Sequence, residues 1–210
     1  MKGSSFFKEV AESGNASATS VKVFPTNDFS RYDAAFTRQY VTKDSVVLDV
    51  GAGTGLLANS LREHVRRIVA VEPFSSFSDF IERADNVSVV NETLENYSSE
   101  EFFDFVLLFG IVQYIAKEEV CGIYKKYRSM LKETGSLIVK NQFGVFEDVI
   151  VDGYSPDLGR HYYSEYRHLV WEKSTLAAAG FSSISMHDIY PQECNRWLNT
   201  HYYALVAKNS

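Results

Sequence analysis

The chain has 210 residues, 45% hydrophobic and 23% charged, which predicts one globular domain with its own core and excludes a largely disordered chain. A net charge of −6 without a dense run of Lys or Arg argues against nucleic-acid binding, which depends on neutralising phosphates. No stretch approaches the roughly 18–20 apolar residues of a membrane span, and the N-terminus lacks a signal-peptide pattern. We therefore expect a cytoplasmic protein with no membrane partner.

The first forty residues predict an arm followed by a helix. Residues 1–27 are expected to form an N-terminal arm with a short helix around Phe6 and Phe7, suited to act as a lid over an active site. A helix is predicted over 28–40, because aromatic and small apolar residues recur there at helical spacing. The remainder, 28–210, is expected to be the functional domain.

Strands and helices then alternate to the end of the chain. Predicted strands lie at 46–50, 68–71, 87–90, 102–109, 136–140, 182–187 and 201–207. Predicted helices lie at 56–65, 74–83, about 110–131 and 165–179, and the stretch before 165 is expected to be irregular. The run at 46–50 is apolar throughout, as in a parallel strand covered on both faces. This alternation predicts a doubly wound α/β sheet with helices on both faces.

A glycine-rich turn follows the first predicted strand. Asp49 and Val50 lead into Gly51-Ala52-Gly53-Thr54-Gly55, and a helix is predicted directly afterwards. Glycines in this place let the backbone turn tightly and approach a ligand at the carboxyl edge of the sheet. Glu72 closes the next predicted strand, where an acidic side chain can accept both hydroxyls of a ribose. The pattern predicts a nucleoside-containing ligand.

The glycine spacing distinguishes two kinds of nucleoside cofactor. A dinucleotide fingerprint has its third glycine at the sixth motif position, where this chain has Leu56. The spacing Gly51, Gly53, Gly55 instead resembles motif I of the class I S-adenosylmethionine (SAM)-dependent methyltransferases. Further segments resemble later motifs of that family in the same order: Asn91–Glu95, Phe103–Val106, Gly110–Ile115, Leu131–Ile138 and Ala179–Phe181.

The resemblance implies a fold, a cofactor and a set of cofactor contacts. The fold is the Rossmann-like methyltransferase fold, a mostly parallel seven-stranded sheet whose last strand is antiparallel. The cofactor is SAM and its product S-adenosylhomocysteine (SAH), with Asp49 facing the methionine amino group and Glu72 the ribose. Thr93 stands where many relatives have an Asp near adenine, so Glu92 or backbone groups are alternative adenine contacts. The full set of expected cofactor residues is Tyr32, Asp49, Gly51, Ala52, Gly53, Gly55, Glu72, Pro73, Thr93, Leu94 and Phe109.

The acceptor side is expected from the Tyr-, Trp- and His-rich last sixty residues. Methyl transfer needs an acceptor atom held about 3–3.5 Å from the methyl group and in line with the leaving sulfur. A hydroxyl acceptor also benefits from a general base, and His suits that role near neutral pH. His161 is our candidate base among four late histidines. Tyr114, at a position where relatives often carry a His, is expected to line the methyl site, and the expected substrate contacts are Arg160, Tyr163 and Arg196.

The predicted reaction is metal-independent transfer of a methyl group to a small-molecule or saccharide acceptor. A hydroxyl oxygen is the leading acceptor atom, with nitrogen as an alternative. Phe109 and Gly110 stand where metal-dependent relatives place an acidic ligand, so no metal is expected. The rival functions are an NAD(P)-dependent oxidoreductase and a non-catalytic SAM-binding protein. We expect a monomer or a homodimer.

Overall fold

The computed structural model describes residues 4–13, 29–156, 159–195 and 197–209. The helices are α1 (Ser4–Glu12), α2 (Ser30–Thr37), α3 (Leu56–Leu61), α4 (Ser75–Ser78), α5 (Lys117–Arg128) and α6 (Leu169–Ala178). The strands are β1 (Val46–Val50), β2 (Arg67–Val71), β3 (Val87–Val90), β4 (Phe103–Phe109), β5 (Leu131–Gly144), β6 (Val149–Ser155), β7 (Arg160–Tyr166), β8 (Ser183–His187) and β9 (Thr200–Lys208). Short 3₁₀ turns occur at Arg62–His64, Val112–Tyr114 and Gln192–Cys194.

Seven of these strands form one sheet in the order β3-β2-β1-β4-β5-β9-β8. The pairings from β3 across to β5 are parallel, and β9 runs antiparallel to both of its neighbours. This is the doubly wound, mostly parallel sheet with an antiparallel last strand that the sequence predicts, and the fold prediction is confirmed.

Alternating side chains on β1 place the core on both faces of the sheet. Val46, Leu48 and Val50 pack into the layer that contains α5 and α6, and Val47 packs into the layer that contains α2 and α3. All five β1 residues are buried, because a parallel strand in the middle of such a sheet is covered on both sides. This burial on both faces explains why polar and apolar residues do not alternate along 46–50.

The region before residue 165 differs from the sequence prediction. It was expected to be irregular, yet β5 continues to Gly144, and β6 and β7 pair as a second, two-stranded antiparallel sheet. Helix α6 begins at Leu169 because Glu165 and Tyr166 still belong to β7. Other predicted helices are shorter than expected: α2 ends at Thr37, α3 at Leu61 and α4 at Ser78.

Helix α1 packs across β7 and beside α4. Its Phe6 is buried against the ring of Tyr162, with ring centroids 5.5 Å apart. The part of the expected arm at 14–28, including the predicted start of the second helix, lies outside the described residues. Across the described ranges, the helices are too short and too polar to span a bilayer.

Candidate active site

The glycine turn after β1 is held against the end of β2. Gly51, Gly53 and Gly55 have φ angles of 72°, 55° and 79°, a region that residues with a Cβ adopt at a cost. The N–H groups of Gly51 and Ala52 both donate to the carbonyl oxygen of Val71, at 2.8 and 3.0 Å. A Cβ on Gly51 would lie 2.3 Å from Ile111 Cδ1. The turn therefore brings bare backbone to the carboxyl edge of the sheet.

Glu72, directly after β2, is fixed by two backbone amides. The Gly53 N–H donates to its Oε2 at 2.9 Å, and the Phe74 N–H donates to its Oε1 at 3.1 Å. Burial raises the pKa of Glu72 to about 7, partly offset by these two hydrogen bonds. The carboxylate thus connects the glycine turn to the next loop and stands at the position predicted for ribose recognition.

Asp49 is the second buried carboxyl at this edge. Burial, with the nearby Glu72 and Asp33 carboxylates, raises the pKa of Asp49 to about 7, and Lys140 opposes the shift. Its Oδ2 atom has no hydrogen-bond partner among the described residues. A buried carboxylate oxygen without a donor is costly, so a bound cationic group or hydrogen-bond donor would stabilise it.

The glycine turn, Glu72 and Asp49 border a cavity of about 1260 Å³ at the carboxyl ends of β1, β2, β4 and β5. Ligand pockets usually measure about 300–1,000 Å³, so this cavity has room for more than one ligand. The structure brings ten predicted site residues to its lining: Asp49, Gly51, Ala52, Gly53, Glu72, Pro73, Thr93, Leu94, Phe109 and Tyr114.

Two residues predicted to contact the cofactor lie outside this lining. Tyr32 packs edge-on against Tyr190, with ring centroids 5.8 Å apart, because α2 turns Ser30 and Asp33 toward the cavity instead. Gly55 acts through its backbone: it caps α3, and a Cβ there would lie 2.6 Å from Ile81 Cγ1.

On the acceptor side, two tyrosine hydroxyls meet inside the cavity. The Tyr114 and Tyr162 hydroxyl oxygens are 2.9 Å apart, and Phe7 of α1 packs edge-on against Tyr114 with centroids 4.8 Å apart. All three residues line the cavity. The cluster places a hydroxyl pair between aromatic rings, and it packs with Phe74 and Phe77, which follow Glu72 in the chain.

The predicted base and the two described substrate contacts are absent from the cavity lining. His161 is exposed and its Nε2 lies 3.0 Å from Asp152 Oδ1, because strand alternation on β7 turns Tyr162 inward and His161 outward. The same alternation turns Tyr163 outward, where its hydroxyl donates to Glu165. Arg160 reaches Glu9 and the Phe6 ring on α1. Arg196 lies outside the described residues.

The other late histidines are also absent from the described cavity lining. His187 contacts Ser185 and Tyr40, and His201 pairs with Asp188 at 2.8 Å. His168 stands at the N-terminal cap of α6. Within the described part of the chain, no three His, Cys, Asp or Glu side chains gather as a metal-ligand set.

Sequence reasoning missed the polar residues that end β5 and begin β9. Gln142 Nε2 donates to Thr200 Oγ1 at 2.7 Å, and Asn141 Nδ2 donates to the carbonyl oxygen of Gln142 at 3.1 Å. These residues are buried and line the cavity, as does Lys140. Their position in the sequence could have identified them. Lys140, Asn141 and Gln142 directly follow the apolar run of a predicted parallel strand, and ligands bind at the carboxyl ends of such strands.

A buried ionic cluster holds the turn that carries Tyr114. The Arg167 guanidinium donates to the carbonyl oxygens of Val112 and Ile115, at 2.7 and 3.0 Å, and its Nε donates to Glu172 at 2.8 Å. Tyr124 donates its hydroxyl proton to the other Glu172 oxygen. Since the two carbonyls flank Tyr114, this cluster fixes where that side chain enters the cavity.

Comparisons with known proteins agree with this geometry. A family model described as a methyltransferase domain matches residues 47–135. An uncharacterised methyltransferase of Staphylococcus carnosus is 23% identical over 134 residues, 64% of this chain and 62% of the relative. The chain therefore spans less than two thirds of that relative's length.

Solved structures extend the likeness to the whole fold. A Burkholderia thailandensis 1,6-didemethyltoxoflavin-N1-methyltransferase, solved with its substrate and SAH, has a TM-score of 0.73 at 18% identity, covering 98% of this chain and 85% of that one. DhpI in complex with SAH has a TM-score of 0.69 at 18% identity, covering 98% and 94%. The chain therefore has the fold of these SAM-dependent methyltransferase structures, and its residues 47–135 match the model of a methyltransferase domain.

Proposed function

We propose that this protein transfers the methyl group of SAM to a small-molecule or saccharide acceptor, with a hydroxyl oxygen as the acceptor atom and without a metal. The observation that carries the proposal is the Glu72 carboxylate, which backbone amides of Gly53 and Phe74 hold at the edge of a cavity large enough for two ligands. The NAD(P) alternative loses support because Leu56 replaces the third glycine of a dinucleotide fingerprint.

The buried polar atoms fit SAM. Asp49 Oδ2 lacks a partner in the described structure, and the ammonium group of a methionine moiety would supply one. Glu72 is positioned to accept from ribose hydroxyls, and Thr93 and Leu94 line the part of the cavity that follows β3. The positive φ angles of Gly51 and Gly53 let the backbone turn tightly at the edge of the cavity, which both residues line.

In the proposed mechanism the protein acts mainly by positioning. SAM supplies an electrophilic methyl group on a sulfonium sulfur. Asp49 would hold the methionine ammonium and Glu72 the ribose hydroxyls of that ligand, while the cavity-lining Phe7, Tyr114 and Tyr162 would bound the space for the acceptor. Aligning two reactants in this way replaces a costly encounter in solution. With no histidine in the described cavity lining, the acceptor proton leaves through the Tyr114–Tyr162 hydroxyl pair or to solvent.

Helix α1 is the proposed lid. Phe6 is buried on Tyr162, and Phe7 lines the cavity next to Tyr114, so α1 covers the acceptor side. Excluding water there would strengthen the electrostatic contacts that align the reactants. The larger assignment of 1–27 as an arm and 28–210 as the catalytic domain, the cytoplasmic location and a monomeric or homodimeric state remain parts of this proposal.

A nitrogen acceptor is the second candidate, because the described cavity lining carries seven carboxylates and one ammonium. Such a surface attracts a protonated amine more than an anion. The N1-methyltransferase of Burkholderia thailandensis shares the fold, which is compatible with this candidate. Incubation of cell-extract fractions with ¹³C-methyl SAM, followed by NMR of the product, would separate O-methyl from N-methyl groups by their carbon shifts.

Calorimetric titration tests the proposed cofactor. We expect SAH to bind at submicromolar to micromolar concentration and NADH not to bind. Replacing Glu72 by Ala should weaken SAH binding by about 1.5–3 kcal/mol, roughly 10–100-fold, because hydrogen bonds to a charged group are lost. NADH binding without SAH binding would overturn the methyltransferase proposal, and unchanged SAH affinity in Glu72→Ala would remove Glu72 from the site.

A further inference from the structure

The cavity contains a compact charged cluster of Asp33, Lys140 and Asp49. Lys140 ends the apolar part of β5 and pairs in register with Phe109 of β4. Its Nζ lies 2.9 Å from Asp33 Oδ2, and both side chains are only 11–12% exposed. Among the described residues that line the cavity, Lys140 is the one cationic side chain.

The pair is fixed in place from both sides. Tyr190 donates its hydroxyl proton to Asp33 Oδ1 at 2.5 Å, and burial beside Asp33 raises the pKa of Tyr190 well above its ordinary value, so it remains a donor. The Lys140 ammonium lies over the rings of Phe109 and Tyr190, at 5.4 and 5.7 Å from their centroids. An ammonium has three donors, and Asp33 accepts from it through one carboxylate oxygen.

Asp49 completes the cluster on the side of the glycine turn. Asp33 raises and Lys140 lowers the pKa of Asp49, so the three charges act on one another directly. The cluster presents two carboxylates and one ammonium to the cavity next to Gly51. The amino-acid end of SAM has the complementary pattern, with two cations, the ammonium and the sulfonium, and one carboxylate.

We propose that Lys140 binds the α-carboxylate of the methionine end of SAM, and that Asp33 and Tyr190 hold the Lys140 ammonium in position for it. Asp33 and Asp49 then face the cationic groups of the same ligand. The assignment rests on the proposed function, since it takes SAM as the cofactor. A carboxylate on the methyl acceptor has the same chemistry, and the experiment distinguishes these two sources.

The test compares two ligands that differ by one carboxylate. SAH and its decarboxylated analogue, 5′-(3-aminopropylthio)-5′-deoxyadenosine, are titrated calorimetrically into the wild type and Lys140→Met. Wild type should bind SAH about 10–100-fold more tightly than the analogue, the scale of a charge-assisted hydrogen bond. Lys140→Met should lose most of this preference by weakening SAH binding alone.

Two further variants control for folding and for charge. Lys140→Met leaves Asp33 buried without its cation, so Lys140→Met/Asp33→Asn removes the pair as a unit and should lose the same preference in a folded protein. Lys132 is the matched control, because it also lies on β5 and pairs with an aspartate, Asp104, at 2.8 Å outside the cavity lining. Lys132→Met should keep the wild-type preference for SAH.

The possible results separate the inference from the proposed function. If wild type binds neither ligand, the proposed function itself fails. If wild type binds SAH but both Lys140 variants keep the full preference for it, Lys140 does not bind the cofactor carboxylate.

Benzoate and benzamide are then titrated into SAH-saturated protein by ligand-observed NMR. A preference for benzoate that Lys140→Met abolishes would place the acceptor carboxylate at Lys140, and no such preference would overturn the anion site altogether.

Discussion

The two sides of the cavity are built in different ways. The cofactor side consists of backbone: three glycines at positive φ and amides that donate to Val71 and Glu72. The acceptor side consists of side chains brought from distant parts of the chain, with Phe7 from α1, Tyr114 after β4 and Tyr162 from β7. A local motif can specify the first arrangement, whereas the second exists only once remote elements have packed.

Their electrostatics differ as well. Buried carboxyls with raised pKa values, Asp49 and Glu72, stand on the cofactor side. The acceptor side presents the neutral hydroxyl pair of Tyr114 and Tyr162 and the exposed carboxylate of Asp152. We infer that buried carboxyls match the cofactor side to a charged ligand and that the two sides are separable by mutation.

The largest expected difference between the two sides is in how much a glycine-to-alanine substitution lowers the free energy of unfolding. Gly51→Ala must place a Cβ at φ 72° and 2.3 Å from Ile111 Cδ1, so we expect unfolding free energy to fall by about 2 kcal/mol or more. Gly153 on β6 is the matched control, because a Cβ there meets no atom within 4 Å. Gly153→Ala should change stability by less than about 0.5 kcal/mol. Equal stability of the two variants in urea denaturation would contradict a backbone-built cofactor side.

A pH titration of stability sharpens the electrostatic contrast. Asp49 and Glu72 have folded pKa values of about 7, above their ordinary values of 3.8 and 4.5. Between these limits the unfolded chain has released protons that the folded protein retains, so stability falls as pH rises from about 4 to 7. We expect a loss of at least about 1 kcal/mol over this range for the ligand-free protein.

The matched variants for this titration are Asp49→Asn and Asp152→Asn. Asp49→Asn should flatten the fall, since it removes one of the two shifted carboxyls. Asp152 is an exposed carboxylate outside the Asp49–Glu72 pair, so Asp152→Asn removes the same charge without changing either buried carboxyl. Denaturant unfolding at several pH values measures both slopes. A wild-type stability that rises between pH 4 and 7 would contradict the raised pKa values.

The smallest expected effect concerns His161. Its side chain is 67% exposed and is not part of the described cavity lining, so His161→Ala should leave SAH affinity unchanged and turnover within about twofold, as for most surface substitutions. Turnover is measured with the acceptor that the ¹³C-methyl screen identifies. A fall of 100-fold or more would show that His161 reaches the acceptor after all and that the acceptor side rearranges.

The cofactor side could be predicted because its signals are local. Gly51, Gly53 and Gly55 have positive φ, as a tight turn between strand and helix requires, and Glu72 follows the next strand. The doubly wound sheet was predicted from the alternation of strands and helices, and its mostly parallel, seven-stranded form from the resemblance to the methyltransferase family. Nine of the eleven predicted cofactor residues line the cavity. The other two are Tyr32, which packs against Tyr190, and Gly55, which is the N-terminal cap of α3.

The acceptor side could not be predicted to the same depth because its signals are not local. The hairpin of β6 and β7 has an apolar run only at 149–151, and its pairing register is what shows which residues share a face. A choice between neighbours such as His161 and Tyr162 depends on that face, since a shift of one residue exchanges inward and outward side chains. Residue type favoured His161 as the candidate base, whereas the strand geometry brings Tyr162 to the cavity lining.

By itself the sequence determined the class of fold, the glycine turn and the place of Glu72 directly after β2, since backbone conformation and hydrophobic burial act over short spans of chain. Only the tertiary structure decided that Asp33, Lys140 and Tyr190 form one cluster with Asp49, because their contacts join α2, β5 and the loop before β9. Charges interact through space, at distances that sequence separation does not reveal.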